Sequence, residues 1–249
     1  GGRDCVAQLW DTVTGESLYT LVGHTDEIMA VAFQPNGQQV MTASLDHTVR
    51  LWSVANGELA TIFDDAQGAL LSVACHVDND TVAAAGNDQT IYLWSVSSAN
   101  LKLSLQGHFE SVTAVAFASD GHTLASSSFD QSIRLWDSQH GQALRTQHGY
   151  RNEIRPLARS ADGRWLANGN VDHTICLWNV GQPFASQPFA GEHLLSIASS
   201  SISTAAEPRH IIQNYEALVS CLDFHPVTNL LAGAGLDGVI RLWNIDETP

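Results

Sequence analysis

Histidine, serine and aspartate recur in this sequence at a spacing that could support nucleophilic catalysis. His24, Ser44 and Asp46 stand with Trp52, and His108, Ser128, Asp130 and Trp136 repeat the set at the same spacing. In a hydrolase, a serine activated by an imidazole, itself oriented by a carboxylate, attacks an acyl carbon. Such a set is needed once, whereas this one is written twice and recurs in partial form. Recurrence points to a structural task, because buried polar groups need partners and a closed network of four satisfies its members. Other chemistries have less support. The eleven histidines form no H-x-H or H-E-x-x-H pattern, and no phosphate-binding glycine loop follows a strand. The four cysteines, Cys5, Cys75, Cys176 and Cys221, include no C-x-x-C pair. No metal, cofactor or enzymatic activity is expected.

The residues around these sets are periodic. A Leu-Trp dipeptide ends at Trp10, Trp52, Trp94, Trp136, Trp178 and Trp243, with four intervals of 42 residues and a last one of 65. An aspartate stands six residues before each: Asp4, Asp46, Asp88, Asp130, Asp172 and Asp237. A fixed period near 42 is the mark of a repeat architecture. The single domain 1–249 divides into a partial unit 1–20 and units 21–62, 63–104, 105–146, 147–188 and 189–249. Within a unit, short β-rich runs are separated by turns such as Asn36-Gly37, Asn56-Gly57 and Asp162-Gly163. Each unit is therefore expected to form a four-stranded antiparallel sheet that buries its faces only by stacking on neighbours.

With 249 residues, 44% of them hydrophobic, the chain can bury a sizeable core. No run approaches the roughly 18 apolar residues of a membrane-spanning helix. The start Gly1-Gly2-Arg3-Asp4 lacks a signal-peptide pattern, and its lack of Met suggests a fragment, a processed product or a trimmed chain. A net charge of −15, with Lys102 the only lysine, disfavours nucleic-acid binding. Cysteines in apolar stretches are expected to be buried, inert thiols of a reducing compartment, hence a cytoplasmic protein.

Gly23-His24, Ser44-x-Asp46 and Leu51-Trp52 resemble the WD-repeat family of β-propellers, as do Gly107-His108, Ser128-x-Asp130 and Leu135-Trp136-Asp137. The resemblance covers the whole chain and implies an all-β propeller of radial blades around a channel. It also implies a tetrad running from Trp to Ser to His to Asp within each complete blade. The units ending at Trp94, Trp178 and Trp243 keep only the Asp and Trp, so looser blades are expected there. The strand count leaves the first unit without inner strands and the last without an outer one. Glu16–Val22 could close a five-bladed ring; the preferred reading is part of a six- or seven-bladed ring.

By the same resemblance, the residue before each tetrad Asp lies in an exposed turn near the channel. These residues are Leu45, Asn87, Phe129, Val171 and Leu236, mostly apolar, which suggests a docking surface. Arg151 and Arg155, in a segment with Pro156 and Arg159, are either a basic rim for an acidic partner or local drift. The extra residues near 189–212 are expected to link one blade's outer strand to the next blade's inner strand, on the ligand-receiving face. The expected function is a non-catalytic protein–protein interaction scaffold, sensor or adaptor module, joined to or assembled with further domains of a bacterial-type multidomain protein. Its partner is a protein or peptide, with no nucleic acid and no membrane. The alternatives are a structural subunit of a larger assembly and, behind it, a channel-face small-ligand receptor or propeller enzyme.

Overall fold

The recurrent aspartate opens a tight turn. His47, Gln89, Gln131, His173 and Gly238 each follow it and have φ of 69°, 66°, 63°, 67° and 74°. A carboxylate that accepts a backbone N–H two residues on stabilises such a turn. Asp46 accepts from Thr48 at 3.0 Å, Asp88 from Thr90 at 3.2 Å, Asp130 from Ser132 at 2.9 Å and Asp237 from Val239 at 3.1 Å. The aspartate therefore has work in every described turn, whether or not a histidine faces it.

The structure is a computed structural model that describes residues 1–118, 121–147, 154–160, 164–170, 173–179, 210–212, 218–225, 228 and 230–245. Strands β1 (Val6–Trp10) and β2 (Ser17–Val22) form a two-stranded sheet. The first blade is β3 (Ile28–Phe33), β4 (Gln39–Ser44), β5 (Val49–Ser53) and β6 (Leu59–Phe63). The second is β7 (Leu70–Cys75), β8 (Thr81–Gly86), β9 (Ile91–Ser95) and β10 (Asn100–Leu105). The third is β11 (Val112–Phe117), β12 (Thr123–Ser128), β13 (Ile133–Asp137) and β14 (Ala143–Gln147). The fourth is β15 (Ile154–Arg159), β16 (Trp165–Asn170), β17 (Ile175–Asn179) and β18 (His210–Ile212). The fifth has three described strands, β19 (Val219–Phe224), β20 (Leu230–Gly235) and β21 (Ile240–Asn244).

Every pairing is antiparallel, and the cores lie between blades. Met41, Val49, Leu51 and Phe63 of the first blade pack on Val73, Val82 and Trp94 of the second. Each such side chain contributes about 1.5–3 kcal/mol of burial. Ala7, Leu9 and Leu21 of the two-stranded sheet cover Ile28, Val40 and Trp52 in the same manner. This sheet thus occupies the outer half of a blade position.

Three expectations are corrected here. The described residues build five blades and a half-sheet rather than six or seven blades. Glu16–Val22 does not complete the last blade, because β2 pairs with β1. The extra residues do not connect two blades: His210–Ile212 pairs with β17, so residues 180–209 join the third and fourth strands of one blade. That connection leaves the end of the blade opposite the recurrent aspartates. Residues 180–209 themselves lie outside the described part.

In β15 the pairing steps from Ile154 with Asn170 to Leu157 with Asn168, whereas other inner strands skip a single residue. Pro156 has no N–H to give to the ladder, which accounts for the wider irregularity.

Candidate functional site

The tetrads are assembled differently from the sequence expectation. Trp52 Nε1 donates to Thr42 Oγ1 at 2.9 Å, and Thr42 Oγ1 lies 2.6 Å from His24 Nε2. His24 Nδ1 lies 2.8 Å from Asp46 Oδ2. The chain of partners assigns the imidazole proton to Nδ1, with the Thr42 hydroxyl donating to Nε2. The third blade repeats this through Trp136, Ser126, His108 and Asp130 at 2.8, 2.7 and 2.8 Å. Ser44 and Ser128 are not members. Their hydroxyls donate to the carbonyls of Asp26 and Glu110, and accept from the N–H groups of Asp46 and Asp130. The reason is register: Thr42 lies opposite Arg50, within reach of the Trp52 indole, whereas Ser44 sits at the strand end and closes the turn.

Burial alone would raise the Asp46 carboxyl, but hydrogen bonds from Thr48, His24 and Thr25 outweigh it and hold the group at about 2. Burial pushes the His24 imidazole below its ordinary range, and Asp46 offsets this only in part. Neither imidazole has a free nitrogen for a substrate, so these sets are structural ties.

The incomplete second blade is not simply looser. Trp94 Nε1 donates to Asp65 Oδ2 at 2.7 Å, and the Tyr92 hydroxyl donates to Asp88 Oδ2 at 2.8 Å. In the fifth blade Arg241 Nη1 donates to Asp237 Oδ2 at 2.7 Å. Tyr92 and Arg241 occupy the position of Arg50 and Arg134, and each meets the carboxylate that lacks a histidine.

The same ties shape the blade end where a partner could dock. Leu45, Asn87, Phe129 and Leu236 lie there, and the N–H of each donates to the preceding loop: to Glu27, Ala69, Ser111 and Leu218 at 2.9, 2.9, 3.0 and 3.0 Å. Leu45 and Phe129 are half-buried, Asn87 is exposed, and Leu236 is 73% exposed. The expected ring of exposed apolar residues is therefore partial. Val171 and Arg151 lie outside the described residues; Arg155 lies in β15, and its side chain is outside the described part. Phe109, 72% exposed and 5.7 Å from the Arg134 guanidinium, joins this end, although the sequence did not single it out. Its signal was its place directly after Gly107-His108.

A channel of about 950 Å³ runs between the inner strands, and Phe129 is among the residues that line it. Its described walls are mainly Ala, Val, Leu and Phe, with Asp223 the only charged residue. At the opposite end the blades are stitched together: Gln34 Nε2 donates to the Asn79 carbonyl at 2.8 Å, and His76 Nε2 lies 2.6 Å from the Gly121 carbonyl. Among the described residues no three His, Cys, Asp or Glu side chains are grouped as a metal site requires. Only Cys176 is fully buried, and Cys221 is exposed, contrary to the expectation of four buried thiols. Burial still pushes the Cys75 thiol up to about 12.

A sequence profile described as "WD domain, G-beta repeat" matches residues 15–53, 57–95, 99–137, 141–179 and 206–244, more than half of the chain. The chain belongs to the WD-repeat family. Members of this family are generally non-catalytic and serve as protein-interaction scaffolds. Individual WD-repeat relatives match over single stretches. The chain is 38% identical over 48 residues to Lissencephaly-1 homolog 1 of Paramecium tetraurelia, covering 19% of this chain and 12% of that protein. It is 46% identical over 50 residues to the nuclear distribution protein PAC1 of Arthroderma otae, covering 20% and 11%. It is 44% identical over 50 residues to pre-mRNA-processing factor 19 homolog 2 of Arabidopsis thaliana, covering 20% and 10%. The matched stretch thus spans about a tenth of these relatives, so it carries the repeat and not their activities.

Proposed function

We propose that this chain is a non-catalytic interaction module that presents the tetrad end of its propeller to a protein or peptide partner. The observation that carries this reading is the exposed Leu236, on the same end as Phe109 and the half-buried Leu45 and Phe129. Large apolar side chains held on rigid turns offer a preorganised surface, so a partner loses little entropy in ordering it. Arg151 and Arg155 would extend its rim, with Asn87 and Val171 completing the circle. The module fits a cytoplasmic scaffold, sensor or adaptor, as part of a bacterial multidomain protein.

Among the described residues the last blade presents an open face: Ile240 and Leu242 are exposed where Val49 and Leu51 of the first blade are buried. The same open face favours a second reading, a structural subunit held in an assembly by its side.

The test is capture of partners from native lysate by the wild-type chain and by Leu236→Asp/Phe129→Asp, after matched thermal melts. A partner retained by the wild type and lost by the variant supports docking at this end. Equal capture by both moves the contact to the open blade face.

A further inference from the structure

Arg134 lies on the same face of β13 as Trp136, one pleat nearer the turn at Asp130. In the second and fifth blades the residue at this place reaches the turn aspartate: Tyr92 donates to Asp88, and Arg241 to Asp237. In the third blade His108 Nδ1 holds that oxygen, 2.8 Å from Asp130 Oδ2, and Arg134 is left without it. Its guanidinium lies instead 5.7 Å from the centre of the Phe109 ring and 5.9 Å from that of Trp136. Gly107 makes room for it, since a Cβ there would stand 2.8 Å from Arg134 Nη1. Among the described residues this guanidinium makes no hydrogen bond or ion pair, in a chain with 26 acidic residues against 11 basic ones. Nε is sealed from solvent without an acceptor, whereas the Nη groups are open. Arg50 in the first blade also has a buried, unpartnered Nε, but Thr25 stands where Phe109 does.

A guanidinium stacked on rings is already ordered, so it loses little freedom when it meets a planar acceptor. A carboxylate matches it with two parallel N–H···O bonds. We propose that Arg134 binds the carboxylate of an aspartate or glutamate side chain in the partner, with exposed Phe109 packing on an apolar residue beside it. This rests on docking at the tetrad end, argued above, and narrows the partner to an acidic, apolar peptide segment. A net charge of −15 repels such a segment at long range, so recognition comes from the short-range contact and not from steering.

The test titrates the 249-residue chain with acetyl-Leu-Glu-Leu-Glu-amide and acetyl-Leu-Gln-Leu-Gln-amide at low salt, following backbone amide shifts and the Arg134 Nε–H resonance. The glutamate peptide should bind about five- to tenfold more tightly, and salt at about 0.5 M should shrink that preference. In Arg134→Gln, after matched melts, the two peptides should bind equally. Arg134→Lys keeps the charge without the fork and should retain part of the preference. Arg50→Gln should leave it intact. A wild-type preference below about twofold, or one that follows Arg50 instead, overturns the proposal. Equal binding with shifts at Leu45, Phe129 and Leu236 does so while leaving docking at that end in place. No shift from either peptide overturns it as well, and the docking end is then judged by the lysate capture alone. The proposal also fails if Arg134→Gln and exposed Glu110→Gln both lower Tm without adding in the double variant, since Glu110 would then be an internal partner.

Discussion

Trp94 Nε1 donates to Asp65 Oδ2 at 2.7 Å, where Trp52 of the first blade instead reaches Thr42 and, through it, His24. One carboxylate thus does for the second blade what a hydroxyl and an imidazole do for the first. Asp65→Ala should therefore destabilise the chain by about 1–3 kcal/mol, the cost of leaving a buried indole N–H unpartnered. Urea unfolding followed by tryptophan fluorescence measures it, with His24→Ala as the reference. A loss below about 0.5 kcal/mol for Asp65→Ala alone would show that water replaces the carboxylate.

Thr42 and Ser44 are two residues apart on one strand and have different tasks. Thr42→Val strands both Trp52 Nε1 and His24 Nε2, so it should cost about 2–4 kcal/mol from two lost buried partners. Ser44→Ala removes a turn contact to the Asp26 carbonyl and should cost about 1 kcal/mol. Ser126→Ala and Ser128→Ala should rank in the same order in the third blade. The reverse ranking would return the tetrad to Ser44 and Ser128.

Acid should loosen the first blade in two stages. The unfolded chain protonates histidine near pH ~6.5, whereas folded His24 resists protonation, so its contribution is lost as pH falls through that value. Asp46 holds its carboxyl at about 2 against roughly 3.9 when unfolded, so its contribution fades between about pH 4 and 2. Calorimetric Tm values should be level above pH 7 and fall in both windows. In Asp46→Asn the lower step should shrink; an unchanged lower step would place its origin in other carboxylates.

The period of 42 residues and the turn residues carried the blades into view, because tandem sheets must repeat both their apolar faces and their turns. The half-sheet β1–β2 and the three-stranded last blade also followed from counting strands. The tetrad hydroxyl did not, because Thr42 and Ser44 share one face of a strand and only register decides which the indole reaches. Asp65 was hidden because it stands at the Gly-His position with a different side chain and the same effect. Arg134 was legible in principle: it stands two residues before its Trp, in a unit whose histidine claims the turn aspartate. The path of the extra residues was not, since family geometry located an outer strand before them and the chain forms it after them, at His210–Ile212.

The open face of the last blade offers a comparison internal to the fold. Leu51 and Leu242 hold the same place in strands β5 and β21, yet Leu51 is 0% exposed and Leu242 is 62% exposed. Leu51→Lys must bury an ammonium between two blades and should cost more than about 4 kcal/mol, enough to unfold a marginal domain. Leu242→Lys places the same charge in water and should change stability by about 0.5 kcal/mol or less. It should also break up a large exposed apolar patch, so the variant should self-associate less in sedimentation at matched concentrations. If Leu242→Lys instead destabilises the chain about as much as Leu51→Lys, and wild-type Tm rises with protein concentration, a second copy covers this face in solution. A small effect in the 249-residue chain but a large one within a longer parent protein would identify the covering element as a further blade.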